Sequence, residues 1–315
     1  MGSAALLTIV IPWRGDPKID GLCQHASDSR TPDSFRILIV VDGKSTRSLE
    51  TQLSSCISKV AAAVATTVVE NLQGGGPGAA RNEGLRHVRT PYVHFADSDD
   101  VPDFDELVRA ARLMQANETQ ILVGGYKVLR GRQVIRVHLP VPRSRLDEEL
   151  LEVAGVWRFV FDTAFLRDSK VEFPTTAYGE DAVFLVELHD RHPRLSVWPD
   201  AVYTYRDHSS PGRLTTSRPT TEDVDLVATR LWRLANGSDS RTRDLARYWL
   251  VRMALHQRDL SLLTGSEPGT WRQLLSSSGW SLLHSSVRLH RARRRLRRRD
   301  ESLRNRQMES TGVGQ

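Results

Sequence analysis

The first hundred residues alternate between short apolar runs and helical stretches, and this alternation constrains the fold more than any other feature of the chain. In chain order the runs and the helices between them cover 6–11, 18–28, 35–41, 45–65, 67–69, 77–88 and 92–96. Uninterrupted apolar runs are typical of strands buried on both faces of a sheet. Strands joined by helices predict a parallel sheet with right-handed crossovers. The expected fold class is therefore α/β, a mostly parallel sheet with flanking helices.

The remainder of the chain reads as a mixed segment followed by a helical extension. Predicted elements are a helix at 103–115, hairpin strands at 121–129 and 133–138, an apolar stretch at 156–161, a helix starting near Glu180, a strand at 196–205, and helices at 221–235, 239–262 and 280–306. Ser209–Thr220 is rich in Ser, Thr, Pro and Arg and predicts a linker. We expect a catalytic domain at 1–215, a helical C-terminal region at 216–285 and a basic tail at 286–315.

The positive charge of the chain is concentrated in that tail. The formal net charge is +6, but residues 288–306 hold ten arginines against Asp300 and Glu301, so the rest of the chain is close to neutral. A leucine recurs every seven residues from Leu282 to Leu303. Three interpretations stay open: a basic helix on an anionic membrane surface, electrostatic binding of nucleic acid, or a solvated extension. The membrane surface through 286–306 is favoured, and a nucleic-acid partner is not expected.

Cysteine usage and hydropathy bear on the compartment. Cys23 and Cys56 lie in unrelated segments without metal-ligand spacing. We expect no disulfide framework, which favours a reducing compartment. No basic segment precedes the first apolar run, and no apolar stretch is long enough to cross a bilayer. We therefore expect a cytoplasmic protein, at most peripheral on the inner face of the cell membrane.

An acidic cluster, Asp97-Ser98-Asp99-Asp100, follows the fourth apolar run. In an extended segment the side chains of Asp97 and Asp99 would point to the same side. They would lie at the carboxyl end of a parallel strand, where open α/β sheets bind ligands. Carboxylate oxygens together with substrate phosphates suit Mg²⁺ or Mn²⁺. The alternative is an acidic turn that caps the helix beginning at 103.

Further motifs occur in a defined order around this cluster. They are Asp42 after the second run, Arg81 in the Gly-rich stretch 74–84, the cluster at 97–100, Gly179-Glu180-Asp181, and Tyr203-Thr204-Tyr205-Arg206-Asp207-His208 after a predicted strand. Over about residues 5–215 this series resembles the family-2 glycosyltransferases of the GT-A (Rossmann-like) fold.

The resemblance implies an inverting, metal-dependent transfer of a sugar. The donor would be a nucleotide-diphosphate sugar, by default a UDP-sugar. The acceptor would be a hydroxyl of a glycan, a glycolipid or other lipid-linked acceptor, or another cell-envelope or secondary-metabolite acceptor. The implied roles are nucleotide binding by Pro12, Asp42, Arg81, Asp97 and Ser98, binding of Mn²⁺ or Mg²⁺ by Asp99 and His208, general-base catalysis by Asp181, and acceptor contacts by Glu180 and Trp157.

Two departures from the family pattern lie near the expected nucleobase. Asp42-Gly43-Lys44-Ser45 lacks a second acid, and the first strand ends in Pro12-Trp13-Arg14-Gly15. Simpler roles also stay open: Asp42 as a turn residue, Asp181 as a helix cap and Trp157 as a core side chain. Two other functions remain as alternatives, a nucleotidyltransferase and an inactive protein that docks through its basic tail.

Overall fold

The fold is a mixed β-sheet with helices on both faces. The computed structural model describes residues 5–44, 46–60, 63–176, 178–207 and 220–264. Their elements are β1 (Leu7–Trp13), α1 (Ile19–Ser27), β2 (Phe35–Asp42), α2 (Arg47–Val60), β3 (Thr66–Asn71), α3 (Gly76–His87), β4 (Tyr92–Phe95), β5 (Val101–Pro102), α4 (Phe104–Asn117), β6 (Ile121–Arg130), β7 (Gln133–His138), α5 (Leu146–Glu152), β8 (Phe159–Asp162), α6 (Thr163–Ser169), α7 (Glu180–His189), β9 (Leu195–Arg206), α8 (Thr221–Gly237) and α9 (Ser240–Thr264). The short helices α5 and α6 were not predicted.

The strand order explains where a ligand can bind. It is β3-β2-β1-β4-β8-β6-β9-β5, with β7 paired to β6. The pairs β1–β2, β1–β4 and β2–β3 are parallel, which confirms the predicted α/β sheet. The second half is mixed, because β8 runs antiparallel to both β4 and β6 whereas β9 is parallel to β6. The carboxyl ends of β1, β2 and β4 therefore meet at one edge of the sheet.

Both faces of the central strands are covered. Along β1, Ile9 and Ile11 pack with residues of α1, α2 and α4, whereas Val10 packs with residues of α3, α7 and the C-terminal helices. This is the two-residue side-chain alternation of a strand, with an apolar layer on each side. The lack of polar alternation in the sequence is thus explained by burial of both faces.

The two cysteines are joined. Cys23 of α1 and Cys56 of α2 form a disulfide, and both are buried. The expectation that they lie in unrelated segments is wrong, because the two crossover helices pack side by side on the same face of the sheet. The cysteines therefore give no support to a reducing compartment.

The C-terminal helices α8 and α9 confirm two of the three helices predicted beyond residue 220. Thr220 caps α8 by accepting from the backbone N–H of Asp223. The pair packs against α7, and α9 also packs against α5. In the part of the chain that the structure describes, no helix is both long and apolar enough to cross a bilayer. The predicted helix at 280–306, the basic tail and most of the linker lie outside the described residues, and the domain boundaries stay predictions.

Candidate active site

The acidic cluster forms a turn directly after β4. The backbone N–H of Asp100 donates to the carbonyl oxygen of Asp97 at 3.3 Å. The expected extended geometry, with Asp97 and Asp99 on the same side of a strand, is therefore wrong. Asp97, Ser98 and Asp99 are partly exposed, whereas Asp100 is buried. Asp100 accepts from the backbone N–H of Arg206, at the end of β9, at 2.7 Å. The turn thus presents its first three residues and is anchored by its fourth.

A different acid caps the helix that follows. The side chain of Asp103 accepts from the backbone N–H of Glu106 at 3.0 Å, and Asp103 is the N-cap of α4. The cluster at 97–100 is not needed for that purpose. Because helix capping does not explain the cluster, its carboxylates remain candidates for ligand binding.

Arg81 joins three acids from two separate segments. Its side chain is 3% exposed. Nη2 donates to Asp97 Oδ1 at 2.8 Å, and Nη1 donates to Glu180 Oε1 at 3.2 Å and to Asp181 Oδ1 at 2.8 Å. Burial lowers the pKa of Arg81, but the charges of these three acids outweigh it and raise that pKa. Arg81 is therefore a permanent cation at the centre of the cluster.

Asp181 is held on both sides but does not cap its own helix. Oδ1 accepts from Arg81, and Oδ2 accepts from the backbone N–H of Val156 at 3.0 Å. The N-cap of α7 is Gly179, at φ +75°, a conformation that favours glycine. A Cβ there would also lie 2.7 Å from Cε of Met253 in α9. The capping interpretation of Asp181 is thus not supported, and the C-terminal helices buttress the turn that carries this acid.

The surroundings of Asp181 bring the pKa of its carboxyl group close to neutral pH. Burial raises the pKa of Asp181 to about 7; the positive charge of Arg81 lowers it, and Glu180 and Asp97 raise it. Burial also raises the pKa of Glu180. A carboxyl whose pKa lies near the working pH can accept and release a proton, as a general base must.

Asp42 organises the loop between β3 and α3. Oδ1 accepts from Asn71 Nδ2 at 3.0 Å, and Oδ2 accepts from the backbone N–H of Gly76 at 3.1 Å. Asn71 Nδ2 also donates to the carbonyl oxygen of Gly74 at 2.9 Å. Asp42 therefore ties the end of β2 to the start of the helix that carries Arg81. Its contact with a nucleobase stays a prediction.

The other predicted residues fall into three situations. Pro12 is partly exposed in β1, paired with Val40 near the same edge of the sheet. Trp157 is 7% exposed and stacks on Tyr203 of β9 at 4.9 Å between ring centroids, so it packs as a core side chain. Its contact with an acceptor stays a prediction, and so does that of Glu180. His208 lies outside the described residues.

Tyr203 begins the last motif of the series, but no role was predicted for it; its hydroxyl accepts from the backbone N–H of Asp97 at 2.9 Å. A signal was present, since Tyr203 and Tyr205 alternate along a strand that ends beside the motifs. However, the partner of Tyr203 is 106 residues away in the chain.

The described residues offer an incomplete set of metal ligands. Among them, no three His, Cys, Asp or Glu side chains gather as a metal site. A Mg²⁺ or Mn²⁺ ion held by one or two carboxylates and completed by substrate phosphates needs no such cluster. Asp97 and Asp99 supply oxygen ligands of the right kind within one turn, although Arg81 already engages Oδ1 of Asp97. The residues therefore fit a cation that is shared with a diphosphate.

Comparison with known proteins agrees with this geometry. The model of the family described as "Glycosyl transferase family 2" matches residues 16–171. The poly(ribitol-phosphate) beta-glucosyltransferase of Bacillus spizizenii is 28% identical over 204 residues, which are 63% of this chain and 32% of that protein. The chain thus spans about a third of the length of this relative.

Two solved structures share the fold. Staphylococcus aureus TarS 1–349 in complex with UDP-GlcNAc has a TM-score of 0.67 at 18% identity, covering 90% of this chain and 79% of that one. The mannosyltransferase PcManGT from Pyrobaculum calidifontis in complex with GDP-Man and Mn²⁺ has a TM-score of 0.56 at 15% identity, covering 92% and 85%. At these identities the likeness shows the fold alone.

The matched segment contains the sheet edge with Asp42, Arg81 and the cluster at 97–100, and the whole described fold resembles that of known nucleotide-sugar enzymes. This chain belongs to glycosyltransferase family 2 and has a GT-A fold.

Proposed function

We propose that this enzyme transfers a sugar, with inversion, from a UDP-sugar to a hydroxyl group of a polyol-phosphate or glycan polymer of the cell envelope. The observation that carries the proposal is that Asp97, Glu180 and Asp181 all contact Arg81. This arrangement brings the acid proposed to bind the donor, Asp97, close to the acid proposed as the general base, Asp181. The UDP-GlcNAc bound to TarS supports the donor class. The poly(ribitol-phosphate) in the name of the Bacillus spizizenii relative supports the acceptor class.

The reaction is a single displacement at the anomeric carbon. The acceptor oxygen attacks that carbon, and the bond from the carbon to the diphosphate oxygen breaks with its electron pair leaving on UDP. Asp181 takes the acceptor's proton as the carbon–oxygen bond forms. Because the base and the leaving group lie on opposite sides of the carbon, the configuration inverts.

The remaining residues bind and orient the substrates. Pro12, Asp42, Asp97 and Ser98 would bind the nucleotide, and Arg81 connects Asp97 to Asp181. Asp99, with His208, would hold Mn²⁺ or Mg²⁺. Such an ion supplies positive charge where the leaving diphosphate gains negative charge. Glu180 and Trp157 would contact the acceptor.

The place of action is part of the proposal. An acceptor polymer under synthesis would bring the enzyme to the cytoplasmic face of the membrane. The ten arginines of 288–306 would then bind anionic lipid headgroups there.

Nucleotide binding should stabilise the protein in a metal-dependent way. A ligand that binds only the native state at 100 times its Kd adds about 2.7 kcal/mol, which raises the melting temperature of a 315-residue chain by roughly 4 °C. We expect that shift with UDP and Mn²⁺, and a smaller one with UDP and EDTA. Asp99→Asn should remove the difference between the two, whereas Asp33→Asn, an exposed acid elsewhere, should not. If none of UDP, GDP, CDP, dTDP and ADP shifts the melting temperature with Mn²⁺ or Mg²⁺, an inactive docking protein becomes the better interpretation.

The pH dependence of transfer should report Asp181. A base acts only when it is deprotonated, and burial raises the pKa of Asp181 to about 7. The value of kcat/KM should therefore fall as pH drops through 7, approaching a tenfold loss per pH unit below it. Because Asp181 and Glu180 interact, the observed value belongs to the pair. A flat profile between pH 5.5 and 8 at constant ionic strength would contradict the assignment of the base.

A further inference from the structure

The acid on the donor side and the base are each held by a second contact besides Arg81. The backbone N–H of Asp97 donates to the Tyr203 hydroxyl at 2.9 Å. The backbone N–H of Val156 donates to Asp181 Oδ2 at 3.0 Å. Tyr203 lies on β9, and Val156 immediately precedes Trp157 in the turn before β8. The two contacts therefore come from elements that are separate from α3 and its arginine.

An aromatic stack joins these two contacts. The Trp157 indole lies over Tyr203, with 4.9 Å between centroids and 18° between ring planes, and over Tyr205 at 5.7 Å and 25°. Tyr126 packs edge-on against the same indole, with 5.1 Å between ring centroids. Trp157 and Tyr203 are 7% and 1% exposed. An indole enclosed by three rings has one position, so the peptide bonds beside it are fixed as well.

Gly155 leaves the space that the indole occupies. A Cβ at this position would lie 2.4 Å from Trp157 Cε2 and 2.5 Å from Nε1. The backbone of Gly155, at φ −88° and ψ 120°, suits any residue, so the reason for glycine is this close approach. The turn 155–157 is thus built around the indole.

Tyr203 is also suited chemically to hold the acidic turn. Burial, and then the charges of Asp100 and Asp97, raise the pKa of Tyr203 well above its usual value. The phenol therefore stays neutral and accepts the N–H of Asp97 without adding a negative charge next to the acids. β9 also pairs with β5, directly after the turn, through Val101 and Thr204.

We propose that Tyr203 and Trp157 are positioning residues for sugar transfer: their stack sets the distance between the acid turn that binds the donor and the base Asp181. Tyr203 acts on Asp97 through its backbone, and Trp157 acts on Asp181 through the N–H of Val156. This inference rests on the proposed function, because it takes Asp181 as the base and Asp97 as a donor contact.

The two residues should have separable kinetic effects. Tyr203→Phe keeps the ring and removes one hydrogen-bond acceptor, so the Kd for UDP with Mn²⁺ should rise about 2- to 10-fold with little change in kcat. Trp157→Phe and Gly155→Ala should instead lower kcat, on the order of 10-fold, with a smaller change in that Kd. They should also move the acid limb of the pH profile upward, because the N–H of Val156 lowers the pKa of Asp181. Tyr248→Phe, which removes another buried tyrosine hydroxyl, is the matched control.

The outcomes separate this inference from the proposed function. If Tyr203→Phe and Tyr248→Phe lower the melting temperature alike and leave UDP binding and kcat at wild-type values, Tyr203 has no positioning role. If both Trp157→Phe and Gly155→Ala keep the wild-type kcat and acid limb, Trp157 has none. In either case a loss of transfer in Asp181→Asn leaves the proposed function standing. Normal transfer by Asp181→Asn would instead contradict the base assignment, whatever the stack does.

Discussion

Asp181→Asn is expected to abolish sugar transfer while donor binding persists. Asparagine has nearly the same shape as aspartate, so it can still accept the N–H of Val156 or a bond from Arg81, but its amide takes no proton from the acceptor. The loss of a general base costs typically ~10²–10⁴-fold, and it should appear in kcat. Release of UDP in the presence of acceptor measures the rate, and calorimetric titration with UDP measures binding.

Glu180→Gln supplies the matched control for this assignment. Glu180 is the neighbour of Asp181 at the start of α7, contacts the same arginine and is similarly buried, with 14% of its side chain exposed against 19%. It does not receive the second contact from Val156. We expect Glu180→Gln to lose less rate than Asp181→Asn. The reverse order would assign the base to Glu180, and wild-type rates in both variants would remove the acid pair from the chemistry.

The first half of the fold could be predicted because each of its strands is recognisable from its own short run of residues. Each apolar run in the first hundred residues is buried on both faces, and such runs separated by helices leave few topologies. The mixed second half was less predictable. The turn at 131–132 joins β6 to β7, but no local signal determines that β6 also pairs with β8 and β9. Short helices such as α5 and α6 have too few turns to show periodicity.

The site was predicted as a set of residues and not as an arrangement. The order of motifs predicted that acids from separate segments of the chain gather at one site, and Arg81 contacts both Asp97 and Asp181. A cleft shared by these acids stays a prediction. Sequence spacing also predicted an extended acidic segment, but hydrogen bonds from Asp100 and to Tyr203 turn it. Those contacts depend on β9 packing beside β4's loop, so they appear only once the chain is folded.

Arg81→Met should give the largest loss of stability among single substitutions at the site. Methionine keeps much of the volume but removes the cation that faces Asp97, Glu180 and Asp181, and breaking one partner of a buried ion pair costs ~3–5 kcal/mol. The free energy of unfolding of Arg81→Lys should lie between those of wild type and Arg81→Met. A single ammonium group cannot replace a guanidinium that reaches Asp97 through Nη2 and Asp181 through Nη1. Urea unfolding at pH 8 measures the loss. Arg86→Met, on the same helix with an exposed side chain paired to Glu83, should stay close to wild type.

The pH dependence of that loss identifies its cause. Without Arg81, the pKa values of Asp181 and Glu180 rise further in the folded state, because the arginine's charge lowers both. An acid with a raised folded-state pKa destabilises the fold when it is ionised, so the penalty is greatest above that pKa and shrinks as pH falls toward the unfolded value of about 4. The gap between wild type and Arg81→Met should therefore be smaller at pH 5 than at pH 8, and the acid limb of any remaining transfer should move upward. An equal difference in the free energy of unfolding at both pH values would mean that Arg81 does not stabilise the fold through its ion pairs with these acids. Its packing against Phe173, with Cζ 5.4 Å from the ring centroid, would then be the cause.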